Sequence, residues 1–213
     1  AILKNAKLVN VNLESANLSG IQLDGAELQG CNLSGASLKD AKLRSMLIQD
    51  CVFDRANLFQ TEFVESQLLN LGFHGTNLTK ATFKGCIVRD TSFDHSQLHN
   101  ALISGCQLEN LRFARTSFEG ATFTDNQQSR LSFARAILQG VKFSALNLGN
   151  CDFYRANLQR AHFHSVELVG SNFDAADLKG ARLLDVDLRD SQFVNARLDD
   201  SKIQSSDFSG SLL

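Results

Sequence analysis

Five cysteines, five histidines and a scatter of arginines are the residues here whose types could do chemistry. The cysteines are Cys31, Cys51, Cys86, Cys106 and Cys151. A structural zinc site would bring them close in sequence, as in a CxxC pair, and no such pair occurs. The odd count fits a reducing compartment. His162 and His164 flank a single residue, so on an extended chain both point the same way. His74, Asp94 and His95 form a second loose group. A metal needs three or four fixed ligands, and the His162 and His164 pair has nothing to supply the rest. No metal and no cofactor is therefore expected. No Ser–His–Asp or Cys–His arrangement is indicated, so catalysis by this chain is not expected. Asn17, Asn32 and Asn77 open Asn-x-Ser/Thr sequences, but no secretory pattern supports glycosylation.

Bulk charge excludes further classes. Lys plus Arg is 21 and Asp plus Glu is 23, a formal net charge of −2. That rules out a strongly basic nucleic-acid binder, so direct nucleic-acid binding is not expected. No run of apolar residues is long enough to span a membrane. The charge is uneven along the chain. Residues 110–164 carry seven basic and three acidic residues, net +4. Residues 165–213 carry nine acidic and five basic, net −4. The molecule is thus expected to be electrically polar along its length.

The positions of all these residues are set by a repeat. Every fifth residue from Leu3 to Leu213 is Leu, Phe, Ile or Val, with Gln128 the sole polar exception among 43 positions. Two residues before each lies a second column of small residues: Ala, Ser, Thr, Cys, Val and a few others. All five cysteines fall in that column, which makes them small apolar fillers. Twelve of the 14 glycines fall on the last position of the unit, for example Gly20 and Gly30, which marks it as a turn corner. A period of five matches neither a helix nor a strand. A spacing of two between the columns does match a short extended segment with both residues facing inward. A short side plus a turn, repeated, gives a climbing coil whose interior is filled by side chains.

Phenylalanine counts the sides. Phe53, Phe73, Phe93, Phe113, Phe133, Phe153, Phe173 and Phe193 recur at intervals of twenty. A second such series holds Phe63, Phe83, Phe123, Phe143 and Phe163. Phe therefore sits on two alternate sides of a four-sided coil, with Leu on the others, which keeps each layer's volume roughly constant. The expected architecture is all-β, a parallel β-helix of about 11 coils of 20 residues, at about 4.8 Å per layer. Proline is absent, as a chain with no linker or loop requires.

The units Ala16-Asn17-Leu18-Ser19-Gly20, Ala56-Asn57-Leu58-Phe59-Gln60, Ala156-Asn157-Leu158-Gln159-Arg160 and Ala176-Asp177-Leu178-Lys179-Gly180 resemble the A(D/N)LXX motif of the pentapeptide-repeat family. The resemblance covers the whole chain and implies a right-handed quadrilateral β-helix. It implies less about activity. Some members imitate duplex DNA and regulate gyrase-type topoisomerases, including quinolone-resistance proteins. Others are recognition domains of secreted bacterial effectors. Location in the bacterial cytoplasm, or delivery into a host cell, follows from the same resemblance. Topoisomerase-directed members have a markedly acidic surface and either a C-terminal helix or projecting loops, and this sequence shows none of these. The favoured reading is a single β-helix domain over 1–213, a fragment of a longer protein, acting as a non-enzymatic scaffold that binds another protein. Ala1 begins within a unit and Leu213 ends on a central residue, so capping by flanking sequence or end-to-end self-association is expected.

Three surface features follow from the register. Outward apolar residues concentrate between 47 and 87, at Leu47, Val52, Phe59, Val64, Leu69 and Ile87, a candidate protein-binding patch. Arg115, Arg135 and Arg155 share one corner position in successive coils, with Arg55 and His95 below them, a candidate basic stripe for an acidic partner. Glu167, Asp187 and Asp207 form an acidic column. Gln128 faces a Leu column and marks a coil defect. A local bulge that turns it outward, or a hydrogen bond to Asn126, is expected there, because an unpaired buried amide costs about 1–3 kcal/mol.

Overall fold

A computed structural model describes residues 2–213. Every described residue lies in an all-β coil with no helix. Each strand pairs in parallel with the segment twenty residues away, as in Lys142↔His162 and Leu47↔Gln67. The coil has four sides. The first, centred on Leu43, Phe63 and their successors, is a nine-stranded sheet running from Lys42–Arg44 to Lys202–Gln204. The second, centred on Ile48, Leu68 and their successors, is a seven-stranded sheet running from Lys7–Val9 to Gln127–Ser132. The third and fourth are joined by single parallel bridges, such as Val52↔Gly72 and Asn57↔Asn77. The sides agree with the sequence reading of a solenoid with about 20 residues per coil.

One hydrogen-bond scheme repeats throughout. The central residue's N–H donates forward to the next coil, as in Phe53 N to Gly72 O at 2.7 Å. The preceding residue donates backward, as in Val52 N to Cys31 O at 3.0 Å. At the corner, Ala56 N closes a tight turn on Phe53 O at 2.9 Å. With so many N–H groups committed, a proline would break a rung almost anywhere it stood. The corner residue itself is left-handed. Arg55, for instance, has φ 58°.

The second position of the motif also finds its reason. On the third and fourth sides, Asn32 Oδ1 accepts from Ser34 N at 3.0 Å, and Asn157 Oδ1 accepts from Gln159 N at 3.1 Å. The Asn or Asp side chain satisfies an N–H two residues on, a local turn that these two residue types favour.

The core is continuous from Ile21 to Phe193. The eight-Phe column stacks face to face, with ring centroids 4.8–5.1 Å apart. Across the coil the two Phe columns meet edge-on, as in Phe133–Phe143 at 6.0 Å. Offset stacks and edge contacts are the arrangements that the ring quadrupole favours. At the outermost coils the core columns are less covered, with Leu3 43 % and Ile203 41 % exposed.

Candidate binding surface

The interior holds little chemistry. All five cysteines are free and buried. Cys31 N donates to Cys51 Sγ at 3.3 Å, and Cys86 N donates to Cys106 Sγ at 3.4 Å. Burial pushes the Cys51 thiol up to about 11 and the Cys151 thiol up to about 12. Such thiols are poor nucleophiles at neutral pH. Cysteine is also more than a filler. Cys86 Sγ donates to Phe63 O, as Thr76 Oγ1 does to Phe53 O and Ser66 Oγ to Leu43 O. The small column thus ties each coil to the carbonyls of the coil before it, a role that size alone did not reveal. A wholly apolar cavity of about 20 Å³ lies among Phe83, Phe93, Ile103, Phe113 and Phe123, beside the one Ile in that run of the Phe column.

The six outward apolar residues do not form one patch. Leu47, Leu69 and Ile87 share the second side, although Gln67 separates Leu47 from Ile87 along their column. Val64 lies on the first side, Val52 on the third and Phe59 on the fourth. Only Val52, at 40 %, is strongly exposed. Phe59 is flanked by two ammonium groups, Lys39 at 5.7 Å and Lys80 at 5.8 Å from its ring centre. The four-sided coil distributes what the linear sequence groups together.

The arginine stripe is a feature of one corner, between the third and fourth sides. Arg115, Arg135 and Arg155 stand there in successive coils at φ 57°, 61° and 54°. All three are exposed, and among the described residues no carboxylate comes within ion-pairing distance of them. Asp94, the acid beside His95 at the foot of the stack, instead approaches Arg112 at 3.8 Å and accepts from Ala114 N at 2.8 Å. Arg155 leans over the Tyr154 ring at 5.1 Å. Below the stack, His95 packs against His74 with ring centres 4.8 Å apart. Arg55 lies lower still, two coils beneath His95 at the same corner. Among the described residues no group of three or more His, Cys, Asp and Glu is placed to hold a metal.

The C-terminal coils also separate their charges by side. Glu167, Asp187 and Asp207 stand in register on the second side. Asp187 takes two hydrogen bonds from the Arg189 guanidinium, at 2.8 and 2.7 Å, which hold its carboxyl below the usual carboxylate range. On the first side Lys142, His162, Arg182 and Lys202 form a column of basic residues. Reading net charge by segment hid this column. Its signal was in the sequence, since the four residues recur at intervals of twenty.

At Gln128 no bulge forms below: the Gln127–Ser132 strand keeps its register, with Leu108↔Gln128 and Leu111↔Leu131. The disturbance lies above. The seven-stranded sheet ends at this strand. Gln128 is half-buried, and its side-chain Nε2 donates to Asn147 O at 2.7 Å, not to Asn126. By the repeat scheme that carbonyl belongs to the backbone N–H of residue 128. Asn126 is occupied elsewhere, accepting from Cys106 N and donating to Ile103 O, both at 2.9 Å.

Solved structures share the repeat at low sequence identity. HetL, a pentapeptide repeat protein involved in heterocyst differentiation regulation from the cyanobacterium Nostoc sp., is 21 % identical over 97 % of this chain and 89 % of its own, with a TM-score of 0.39. Full-length QnrB1, a plasmid-mediated fluoroquinolone resistance protein, is 16 % identical over 99 % of this chain and 92 % of its own, with a TM-score of 0.45. No curated protein matches the sequence at a significant level. Family descriptions match nearly end to end: "Pentapeptide repeat region" over residues 46–123 and 76–153, and "Pentapeptide repeats (8 copies)" over 6–44, 136–174 and 171–210. The chain belongs to the pentapeptide-repeat family.

Proposed function

We propose that the chain is a non-enzymatic protein-binding solenoid that docks an acidic protein surface along the corner of Arg115, Arg135 and Arg155. The observation that carries this reading is three unpartnered guanidinium groups in successive coils. Like charges stacked at rung spacing repel one another, and an anionic partner relieves that cost. Guanidinium forks suit carboxylates, and Ala114 and Ala134 beside the stack leave the approach flat. A packed interior, and a family whose members are generally non-catalytic solenoids, support the non-enzymatic part. The second reading, a DNA-imitating regulator of gyrase, needs a continuous acidic surface, and this corner has the opposite sign.

Poly-L-glutamate is a direct probe. By isothermal titration at low salt, the chain is expected to bind it, and replacing the three arginines by glutamine is expected to weaken binding by about tenfold or more. Equal binding by the triple variant overturns the assignment. A gyrase supercoiling assay separates the two readings, with no effect expected at micromolar protein.

A further inference from the structure

The corner between the fourth and first sides carries a different feature. A groove of about 720 Å³ opens there over Gly180. Its volume lies within the range of small-molecule sites. Gly180 creates it: Arg160 occupies the same corner one coil below and Asp200 one coil above. With φ +68°, the glycine leaves an opening where its neighbours project side chains.

The walls are cationic. Arg160 and Lys179 line one flank, and His162 and Arg182 the other. Among the described residues, Arg160, Lys179 and Arg182 have no carboxylate within ion-pairing distance. Arg197 also lines the groove but is tied to Asp177 and Asp199 at 3.4 Å each, and Asp200 is the one acid in the lining. Lys142 and Lys202 extend the positive column beyond both ends. His162 sits half-buried within this field. Burial first, then Arg182 and Lys142, lower its proton affinity, so it is neutral near pH 7.

We propose that this groove binds a soluble ligand carrying two or more phosphate groups. Two guanidinium forks and one ammonium converge from three directions on one opening, which suits multi-oxygen anions. An extended acidic peptide fits less well. Its same-face carboxylates recur along one line at about 6.6 Å, whereas Arg160, Lys179 and Arg182 stand around one opening and not in a line. The site is separate from the Arg135 corner, and its fate does not depend on that of the protein-docking surface.

Tripolyphosphate is the probe, titrated calorimetrically into the intact chain at low salt. Single-site binding is expected, weakened about tenfold or more by Arg182→Glu and by Arg160→Glu, each of which reverses a wall charge. Gly180→Asn blocks the opening sterically and folds, since Asn100 stands at the same corner with φ 54°. Lys84→Glu, measured at about 0.1 M salt, is expected to leave binding within about twofold, because Lys84 lies about four coils, roughly 19 Å, below Arg160, beyond the Debye length there. Saturation is also expected to raise the His162 imidazole titration followed by proton NMR. No binding, an equal loss with Lys84→Glu, full binding by Gly180→Asn, or an unmoved His162 each overturns the proposal. So does binding to vesicles bearing phosphoinositide headgroups without binding to tripolyphosphate.

Discussion

Arg55 and Ala175 show what a corner residue endures. Each of the four corners per coil needs a left-handed residue, and 30 of these positions are not glycine. Asn and Asp suit them, since a short polar side chain tolerates this region. Alanine has no such excuse, yet Ala145 and Ala175 adopt φ 52° and 56°. Ala175→Gly is therefore expected to raise stability by about 0.5–1 kcal/mol, because the relief of left-handed strain exceeds the added chain entropy. Its neighbour supplies the contrast. Ala176 is fully buried in the small column, so Ala176→Gly is expected to destabilise. Urea unfolding of the two variants beside the parent checks both signs. The corner preference was legible as a glycine-rich fifth position. The donation of Thr76 or Cys86 to a carbonyl of the preceding coil was not legible, because it depends on which atoms face each other across the rung.

At the scale of strands and sides, the coil of Gln128 is where pairing fails. The side-chain amide satisfies itself at Asn147 O, and the seven-stranded sheet stops. Gln128→Leu returns an apolar residue to a column that holds Leu108 below and Leu148 above. It also frees the Asn147 carbonyl for the backbone. The expected result is a gain of about 1–3 kcal/mol. Hydrogen exchange should slow at residue 147, whose N–H lacks the backward bond to Asn126 O that the repeat scheme supplies in other coils. Unchanged exchange and melting would falsify the account of the break. The sequence located this defect by register alone. It could not say that the strain falls on the coil above rather than on the strand itself, since a strand that holds register on one edge and loses it on the other looks the same in one dimension.

Across the whole molecule, pH acts through a few perturbed groups whose signs agree. The Arg189 side chain lowers Asp187, and hydrogen bonds from Ser209 lower Asp207. Their contribution is present above the usual carboxylate range and is lost as pH falls through their depressed values. His162 is lowered by burial, then by Arg182 and Lys142 on the adjacent strands, with Arg160 also on the groove. The folded state resists protonating it, so stability falls as pH drops below about 6.5. Thermal melts from pH 8 to 3 should show a decline beginning near that value and a second below about 4. His162→Gln should flatten the first and leave the second. A first decline that persists in that variant assigns it to another group.

The sequence by itself determined the solenoid, its four sides, the twenty-residue coil and the two Phe columns. Strict periodicity leaves one way to bury the central residues, so local pattern and global fold coincide. The Arg115, Arg135 and Arg155 stack was equally readable, because residues twenty apart must stand above one another. Tertiary structure decided the rest. It dispersed Leu47, Val52, Phe59 and Val64 over four sides, and it drew Arg160, Lys179 and Arg182 around the gap left by Gly180. It also set a separation of charge between sides beside the gradient along the rod. The physical reason is geometric. Residues near in sequence diverge around a corner, while partners on a surface come from different coils, different sides and the local absence of a side chain.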